Sequence, residues 1–310
     1  MTTLSEKILA DWQVRKTKKQ KSAFIEFMKS QIPEIQVEEG GFGKNRNLVI
    51  GDVKSAKYIL GAHYDTCARF PFPNFLPPKN ILLYVLYSLA ICIPFGIVAG
   101  FVNAALHLVT DNYFVLYWST IITMLGLMLV VMMAGPANPN TVNDNTSGVI
   151  MLCELWAAMS QEQKAKTAFV FFDNEENGLL GSSFFRKLHK KDGLSKKLMI
   201  NFDCVSDGEH MLFVLNKPGL KVYGDDFVAA FPNTQDVTAH VESSSNTMYP
   251  SDQAGFPVGV GVAAMKKKHF VGLYIDRIHT IRDTVMRQEN IRYLTEGTLR
   301  LLEKLEGEGK

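Results

Sequence analysis

The feature that most constrains the fold is a long apolar stretch in the first half of the chain. Residues 80–143 contain one formally charged side chain, Asp111. Two uncharged segments within this stretch, residues 81–104 and 113–134, are each long enough to cross a bilayer as a helix, which takes about 20 apolar residues. We therefore predict a transmembrane hairpin with a turn at 108–112. The alternative is a buried soluble hairpin or a dimerisation arm, but helices without a charged face would expose too much apolar surface on a soluble monomer.

A hairpin returns the chain to the side of the membrane that it left. Residues 1–79 and 135–310 can then form one discontinuous domain, with residues 80–134 as the inserted hairpin. The turn of the hairpin has no Lys or Arg, whereas Arg69 and Lys79 precede its first helix. The positive-inside rule therefore places the domain in the cytoplasm, which predicts an integral membrane protein with two spanning helices.

Outside the hairpin, short apolar runs alternate with helical patterns. This alternation predicts an α/β fold, with a mostly parallel mixed central sheet and helices on both faces. A net charge of +2 without a domain-wide basic stripe argues against a nucleic-acid partner. The predicted strands are 48–50, 58–61, 168–172, 198–202 and 211–215. The predicted helices are 147–159, 179–188, 220–231 and 283–305. The first thirty residues are predicted to form one amphipathic helix, with the basic residues of 16–21 on its solvated side.

Acidic residues and histidines form five short motifs along the chain, and three of these motifs directly follow predicted strands. Ligands of open α/β sheets bind beyond the carboxyl ends of the strands, so these side chains are expected to meet. Imidazole and carboxylate groups are ligands that Zn²⁺ accepts. The motif residues are His63 with Asp65, Asp144, Glu175 with Glu176, Asp203, and His279.

These motifs resemble those of the di-zinc aminopeptidase family, which includes bacterial leucyl aminopeptidases. Glutaminyl cyclases and glutamate carboxypeptidases are relatives of that family. The resemblance covers the chain outside residues 80–134, and the hairpin is not a typical family feature. The segments that carry the resemblance are 61–66, 143–148, 171–178, 201–203 and 278–280.

The resemblance implies two Zn²⁺ ions per chain, with Co²⁺ or Mn²⁺ as substitutes. One ion would be bound by His63, Asp144 and Asp203. The second would be bound by Asp144, Glu176 and His279, so that Asp144 bridges the two ions. Two ions about 3.5–4 Å apart can share a hydroxide that attacks a peptide carbonyl. The resemblance also implies a cis peptide bond after Asp144.

Two further acidic residues are expected to act in catalysis without binding metal. Glu175 would be the general base, which takes the proton of the attacking water and passes it to the leaving amine. Asp65 would orient the imidazole of His63. Thr146 or Ser147 would cap the helix that follows Asp144. Cys67 and Cys204, close to the motifs in sequence, are interpreted as packing residues.

The sequence thus predicts a membrane-anchored di-zinc metallopeptidase, most simply an aminopeptidase. Its predicted partners are a peptide substrate and the lipid bilayer, and a homo-oligomer through the hairpin is left open. Carboxypeptidase or dipeptidase specificity also stays open. The alternatives are glutaminyl cyclase-like aminoacyl transfer and a non-catalytic scaffold on the same fold. Because the hairpin leaves and re-enters close to the motifs, the cleft is expected to face the bilayer or neighbouring subunits, which would restrict substrates to short peptides or membrane-associated chains.

Overall fold

The computed structural model describes residues 1–309, and within them a mixed sheet runs through the centre of the domain. Its strand order is β1-β2-β4-β3-β5-β8-β6-β7, with β9 paired to β8. The strands are β1 (Gln36–Gly40), β2 (Asn45–Ile50), β3 (Tyr58–His63), β4 (Thr167–Phe172), β5 (Leu198–Phe202), β6 (His210–Leu215), β7 (Thr238–Ser243), β8 (Gly259–Lys268) and β9 (Gly272–Tyr274).

The middle of the sheet is parallel. Strand β3 lies parallel to both β4 and β5, and β5 lies parallel to β8. Every residue of β3, β4 and β5 is buried, as expected for strands covered on both faces. The predicted mostly parallel mixed sheet is therefore confirmed. The sequence did not predict β1, β7, β8 and β9. Strands β1 and β7 are polar and only partly buried, and β8 alternates valine with glycine, which is depleted in strands, before two alanines.

Helices cover both faces of the sheet. The larger core lies under α1, α2, α5, α8 and α9, and a smaller one forms where Phe185 of α7 meets Phe172 and Phe256. The helices are α1 (Thr3–Asp11), α2 (Lys18–Gln31), α3 (Ile81–His107), α4 (Tyr113–Leu129), α5 (Ser147–Ala158), α6 (Gln161–Ala165), α7 (Leu180–Leu188), α8 (Lys217–Ala230) and α9 (Gln288–Gly307).

The first thirty residues lie in two helices, whereas the sequence pattern predicts one. Thr17 starts α2 with a capping box, in which its hydroxyl accepts from the backbone N–H of Gln20 and the Gln20 side chain accepts from Thr17. The basic run at 16–21 is also not wholly solvated, because the Lys21 Nζ lies 2.5 Å from a buried carboxylate oxygen of Asp173. The cap at Thr17 therefore starts a second helix, and Lys21 within that helix faces the protein and not the solvent.

The apolar stretch forms an antiparallel helical hairpin. Helix α3 runs through Pro94, and α4 continues into a π-helical turn at Val130–Ala134. Asn103 links the two helices by donating to Thr120 Oγ1 at 2.8 Å and to the Leu116 carbonyl. Both helices are long and apolar enough to cross a membrane, and most of their surface is exposed. The two predicted helices are thus confirmed, while their crossing of a bilayer and an oligomer through them stay predictions.

Glu306, near the end of α9, ties that helix to the sheet. Its carboxylate accepts from Lys166 at 2.7 Å, Tyr58 at 2.8 Å and Lys57 at 2.9 Å. Burial opposes its charge, but these hydrogen bonds outweigh burial and lower the pKa of Glu306 to about 2. We expect Glu306→Gln to lower the free energy of unfolding by about 1 kcal/mol at pH 7, since solvent screens a pair near the surface.

This contribution depends on pH in a definite direction. Because the pKa of Glu306 is depressed on folding, its stabilisation is complete above the unfolded pKa of about 4.3 and is lost as pH falls toward 2. Thermal unfolding in detergent at pH 7 and at pH 3 checks both points. Glu303→Gln, on the exposed side of the same helix, is the matched control. A Glu306 effect that stayed constant with pH would contradict this assignment.

Candidate metal centre

The ends of three adjacent strands place four of the motif residues together. His63 is the last residue of β3, Asp203 directly follows β5, and Glu175 and Glu176 lie in the loop after β4. Since β3 is hydrogen-bonded to both β4 and β5 in parallel, the carboxyl ends of all three strands meet at one edge of the sheet.

Asp144 and His279 reach this edge from outside the sheet. Asp144 precedes α5, and an added Cβ at Gly148 in the first turn of α5 would lie only 2.3 Å from the Phe202 carbonyl oxygen. The start of α5 is therefore pressed against the end of β5. His279 comes from the loop between β9 and α9.

The two carboxylate oxygens of Asp144 face two different histidines. Asp144 Oδ1 lies 3.3 Å from His63 Nε2, and Asp144 Oδ2 lies 2.9 Å from His279 Nε2. His63 Nε2 is 3.6 Å from Asp203 Oδ1, and His279 Nε2 is 3.5 Å from Glu176 Oε2. The side chains thus form two groups that share Asp144, in the grouping that the resemblance implied.

The donor atoms of these groups suit zinc. Ligand atoms of His63, Asp144 and Asp203 all lie within 4.8 Å of one another, and Glu176 Oε1 is buried without a hydrogen-bond partner. Burial raises the pKa of Glu176 to about 8, and the negative charge of Asp144 adds to this. Burial also acts to raise the pKa of Asp144. Contacts with the imidazoles of His279 and His63 outweigh burial, so the pKa of Asp144 is lowered. Closely packed buried carboxylates of this kind favour a bound cation.

The backbone around Asp144 is held by the carboxylate of Asp283. Asp283 Oδ1 accepts from the N–H of Asn143 at 2.7 Å, and Oδ2 accepts from the N–H of Asp144 at 3.0 Å. The peptide bond between Asp144 and Asn145 is cis, as predicted. Asp283 was expected to be the first residue of a helix, but α9 begins only at Gln288, because Asp283 binds this segment instead.

The side chain of Asn145 has the capping role that was assigned to its neighbours. Its Oδ1 accepts from the N–H of Gly148 at 3.0 Å and from that of Cys204 at 3.2 Å. Ser147 Oγ instead donates to the Asn143 carbonyl at 2.7 Å, and Thr146 makes no cap hydrogen bond. Asn145 therefore joins the start of α5 to the chain after β5, close to Asp203.

Asp65 lies beside both His63 and the loop that carries the glutamates. Its carboxylate oxygens accept from the N–H groups of Glu175 at 3.0 Å and Glu176 at 3.2 Å. His63 Nδ1 lies 3.1 Å from the backbone carbonyl oxygen of Asp65 and 3.6 Å from its Oδ1. In this arrangement the carboxylate chiefly fixes the glutamate loop, and the backbone carbonyl is the nearer partner of the imidazole.

Glu175 lies next to the ligand groups. Its carboxylate and that of Glu176 both lie within 4.8 Å of the His63 imidazole. Burial raises the pKa of Glu175 well above its usual value, the charges of Glu176 and Asp203 raise it further, and His63 acts in the opposite sense. A carboxylate with a raised pKa takes up a proton readily near neutral pH.

The two cysteines interpreted as packing residues also touch the site. Cys67 Sγ lies within 4.8 Å of ligand atoms of Glu176 and His279, and Cys204 Sγ donates to Asp203 Oδ1 at 3.1 Å. Both are buried and free, and burial raises the pKa of each thiol well above its usual value. Both thiols therefore lie at the edge of the proposed ligand set.

A buried arginine behind the site was not anticipated. Arg15 is fully buried, and its guanidinium donates to the Tyr64 carbonyl at 2.5 Å and to Thr146 Oγ1 at 3.1 Å. Burial lowers the pKa of Arg15 to about 10, while the charges of Asp65 and Asp144 act in the opposite sense. The Arg15 side chain thus places a positive charge behind a strongly acidic site. No motif in the sequence around Arg15 predicts this position.

Removing the Asp283 carboxylate is expected to weaken metal binding although Asp283 lies in neither ligand group. We expect Asp283→Ala to lower zinc affinity by about 10–100-fold, because outer partners that orient ligands have effects of this size. Competition with a chromogenic chelator measures the affinity, and Asp236→Ala, an exposed aspartate, is the control. Unchanged affinity in the Asp283 variant would show that the Asp144 segment holds its shape alone.

The sequence also matches a known protein family. A profile described as peptidase family M28 matches residues 129–299, a little over half of the chain. The matched region contains Asp144, Glu175, Glu176, Asp203 and His279. No curated protein matches the sequence.

Solved structures show a similar fold at low sequence identity. The LapA aminopeptidase of Legionella pneumophila is 14% identical with a TM-score of 0.55, covering 97% of this chain and 70% of its own. LapB from the same organism is 13% identical with a TM-score of 0.52 and the same coverage. PhTET1-12s, from Pyrococcus horikoshii and a dodecamer in the asymmetric unit, is 12% identical with a TM-score of 0.50, covering 97% of this chain and 99% of its own.

Proposed function

The chain belongs to peptidase family M28, and from that membership we propose that it is a membrane-anchored zinc aminopeptidase that removes N-terminal residues from peptides. The observation that carries the proposal is the placement of Asp144, whose two carboxylate oxygens each face a different histidine. Glu175 lies beside this shared carboxylate without belonging to either group of ligands implied by the resemblance. The similarity in fold to LapA, described as an aminopeptidase, supports the exopeptidase assignment.

We assign two zinc ions to the two ligand groups. His63, Asp144 and Asp203 would hold one ion, and Asp144, Glu176 and His279 would hold the other. When bound, zinc supplies Lewis acidity and makes water a nucleophile at neutral pH. Proton transfer and the positioning of the catalytic loop are carried out by side chains of the protein.

Glu175 moves the proton in the proposed reaction. Its carboxylate oxygen accepts a proton from the attacking water and then delivers it to the amine nitrogen that leaves. Asp65 keeps this carboxylate in place, since its own oxygens bind the N–H groups of Glu175 and Glu176. Hydrogen bonds that fix a catalytic loop reduce the cost of reaching the reactive geometry.

Two alternative activities are less well supported. Glutaminyl cyclase-like aminoacyl transfer usually uses one zinc, whereas both ligand groups here are present with a shared Asp144. A non-catalytic scaffold does not require a general base, yet Glu175 is present with every ligand. Peptide hydrolysis therefore accounts for more of the site than either alternative.

We further propose that residues 80–134 anchor the enzyme in the bilayer and that residues 1–79 and 135–310 form the cytoplasmic catalytic domain. The exposed apolar surface of α3 and α4 and the basic Arg69 and Lys79 before α3 support this topology. Labelling of Val109→Cys in the hairpin turn and Lys221→Cys on α8 with an impermeant maleimide tests it in oriented vesicles. The two positions should react from opposite sides, and reaction of both from one side would exclude a spanning hairpin.

The activity is tested with matched substrates and purified, zinc-loaded protein in detergent. We expect hydrolysis of aminoacyl and dipeptidyl fluorogenic substrates with a free N-terminus and none of their N-blocked counterparts. Dialysis against a chelator should abolish hydrolysis, and zinc should restore it. Cleavage of N-blocked peptides from the carboxyl end would instead indicate a carboxypeptidase, and cyclisation of N-terminal glutamine without hydrolysis would indicate a cyclase.

A further inference from the structure

The segment that joins the metal centre to the hairpin has an unusual composition. Residues 70–78, called here the proline-rich segment, contain four prolines, three phenylalanines, one leucine and one asparagine, and no charge. Charged residues flank it on both sides, Arg69 before it and Lys79 after it. Such a composition indicates a segment in contact with an apolar environment.

One end of the proline-rich segment contacts a side chain of the metal centre. The ring of Phe70 packs edge-on against the His279 imidazole, with 4.9 Å between centroids and 78° between planes. The backbone N–H of Phe70 also donates to the His279 carbonyl at 2.7 Å. Of the side chains at the metal centre, His279 is among the more exposed, with 20% of its surface accessible. Phe70 therefore lies at the opening of the site.

The middle of the same segment contacts the first helix of the hairpin. Phe72 packs edge-on against Phe95 at 6.0 Å, and Phe75 packs against Tyr87 at 5.9 Å. The Tyr87 hydroxyl donates to the Pro73 carbonyl at 2.5 Å. Phe70 and Phe72 are two residues apart, about 7 Å along an extended chain. An aromatic surface thus connects the opening of the site to α3.

The position of Phe95 along α3 indicates how deep this contact lies. From Phe95 to the end of α3 at His107 the helix extends about 18 Å, at 1.5 Å per residue. The hydrocarbon core of a bilayer is about 30 Å thick. If the hairpin turn reaches the far side of the membrane, Phe72 lies inside the apolar layer and not above it.

The backbone of the proline-rich segment is compatible with such a place. Its four prolines have no N–H group that would need a partner away from water. The N–H of Leu76 donates to the Ile275 carbonyl at 2.8 Å, and that of Phe75 donates to Asn74 Oδ1 at 2.9 Å. Few unbonded donors therefore remain to oppose contact with lipid.

Two loops next to the proline-rich segment also carry exposed apolar side chains. Met248, whose N–H donates to the Pro78 carbonyl at 2.8 Å, exposes 42% of its surface. Ile281, two residues after His279, exposes 55%. Each of these two side chains thus lies on or within two residues of a position that contacts the proline-rich segment, and grouped exposed apolar side chains mark contact surfaces.

We propose that the enzyme takes its substrates from the bilayer surface: membrane-anchored peptides whose first residues are apolar and reach the site along the proline-rich segment. This inference rests on the proposed aminopeptidase function and on a hairpin that spans the membrane. The uncharged aromatic residues between the opening of the site and α3 favour this class of substrate. Soluble peptides would be poorer substrates, because they lack the local concentration that a shared membrane gives.

The test uses the full chain in lipid nanodiscs and two peptides with the same apolar N-terminal sequence. One peptide carries a C-terminal palmitoyl chain and the other does not. We expect kcat/KM for the anchored peptide to be at least about 10-fold higher, a smaller gain than the roughly 10²–10⁴-fold that tethering can give. Equal kcat/KM for the two peptides would overturn this inference alone, whereas hydrolysis of neither would contradict the proposed aminopeptidase function itself.

Substitution of Phe72 tests the route. Phe72→Ser should reduce the ratio of the two kcat/KM values at least threefold, Phe72→Leu should preserve it, and Phe42→Ser, at an exposed phenylalanine of the β1–β2 turn, should leave it unchanged. An unchanged ratio in a folded Phe72→Ser variant would show that the segment does not guide the substrate. The comparison of the two peptides with the unaltered enzyme stands even if that variant does not fold.

Discussion

Replacement of Glu175 by glutamine is expected to lower kcat by about 10²–10⁴-fold, the usual contribution of a general acid–base residue. Glutamine keeps the size of the side chain and its hydrogen-bonding reach but cannot accept a proton. Because Glu175 belongs to neither proposed ligand group, the variant should retain the zinc content of the unaltered enzyme. The N–H of residue 175 still donates to Asp65, so the loop should also keep its conformation.

Measurement of kcat together with bound zinc separates the possible roles of Glu175. Glu162→Gln, an exposed glutamate that pairs with Lys166, is the matched control and should leave both quantities unchanged. Loss of zinc in the Glu175 variant would identify Glu175 as a ligand and contradict its assignment as the base. Retention of zinc with unchanged kcat would leave the proton transfer to another residue.

The ligand groups were implied by a resemblance to a family, and several of the motifs that carry this resemblance are local signals. His63, Glu176 and Asp203 each lie within a few residues of the end of a buried strand, and the parallel arrangement of these strands follows from alternation of strand and helix patterns. The hairpin was predictable for a similar reason, since charge is missing from whole helices. Signals of this kind do not depend on how distant parts of the chain pack.

The supporting residues could not be predicted, because their roles exist only after folding. Asp283 is separated by 140 residues from the N–H of Asn143 that it binds, and Arg15 lies 131 residues from Thr146. Asn145 lies between a proposed ligand and a helix, and nothing in the sequence indicates that its amide oxygen binds the chain after β5. Polar residues in loops have many potential partners, and only tertiary packing selects among them.

The proposed two-ion site and the proposed membrane anchor are linked through one loop of the structure. His279 belongs to the second ligand group, and its ring and carbonyl oxygen both contact Phe70 of the proline-rich segment. The first ligand group is more enclosed, since the side chain of His63 is 1% exposed. The two ions are therefore expected to differ in access, with the second ion nearer to the arriving substrate.

Asp144→Ala is expected to remove both zinc ions and all hydrolysis, the largest effect of any single substitution at the site. Asp144 Oδ1 faces His63 and Oδ2 faces His279, so loss of this carboxylate leaves each group with two ligands. Asp203→Ala and Glu176→Ala each remove a ligand from one group only, and each should retain the ion of the other group. Zinc per chain, measured by plasma mass spectrometry after gel filtration, should fall to near zero in the first variant and by about half in the other two.

The comparison among these variants distinguishes a shared site from two independent ones. If Asp144 serves a single ion, Asp144→Ala will lose no more zinc than Asp203→Ala, and the bridging assignment will be wrong. Asp236→Ala, at an exposed aspartate, controls for the general effect of removing a carboxylate. Because removal of one partner from a buried charged pair destabilises a fold, circular dichroism must first show that the Asp144→Ala variant is folded before its zinc is counted. A folded variant without zinc would thus show that a single carboxylate holds both ions.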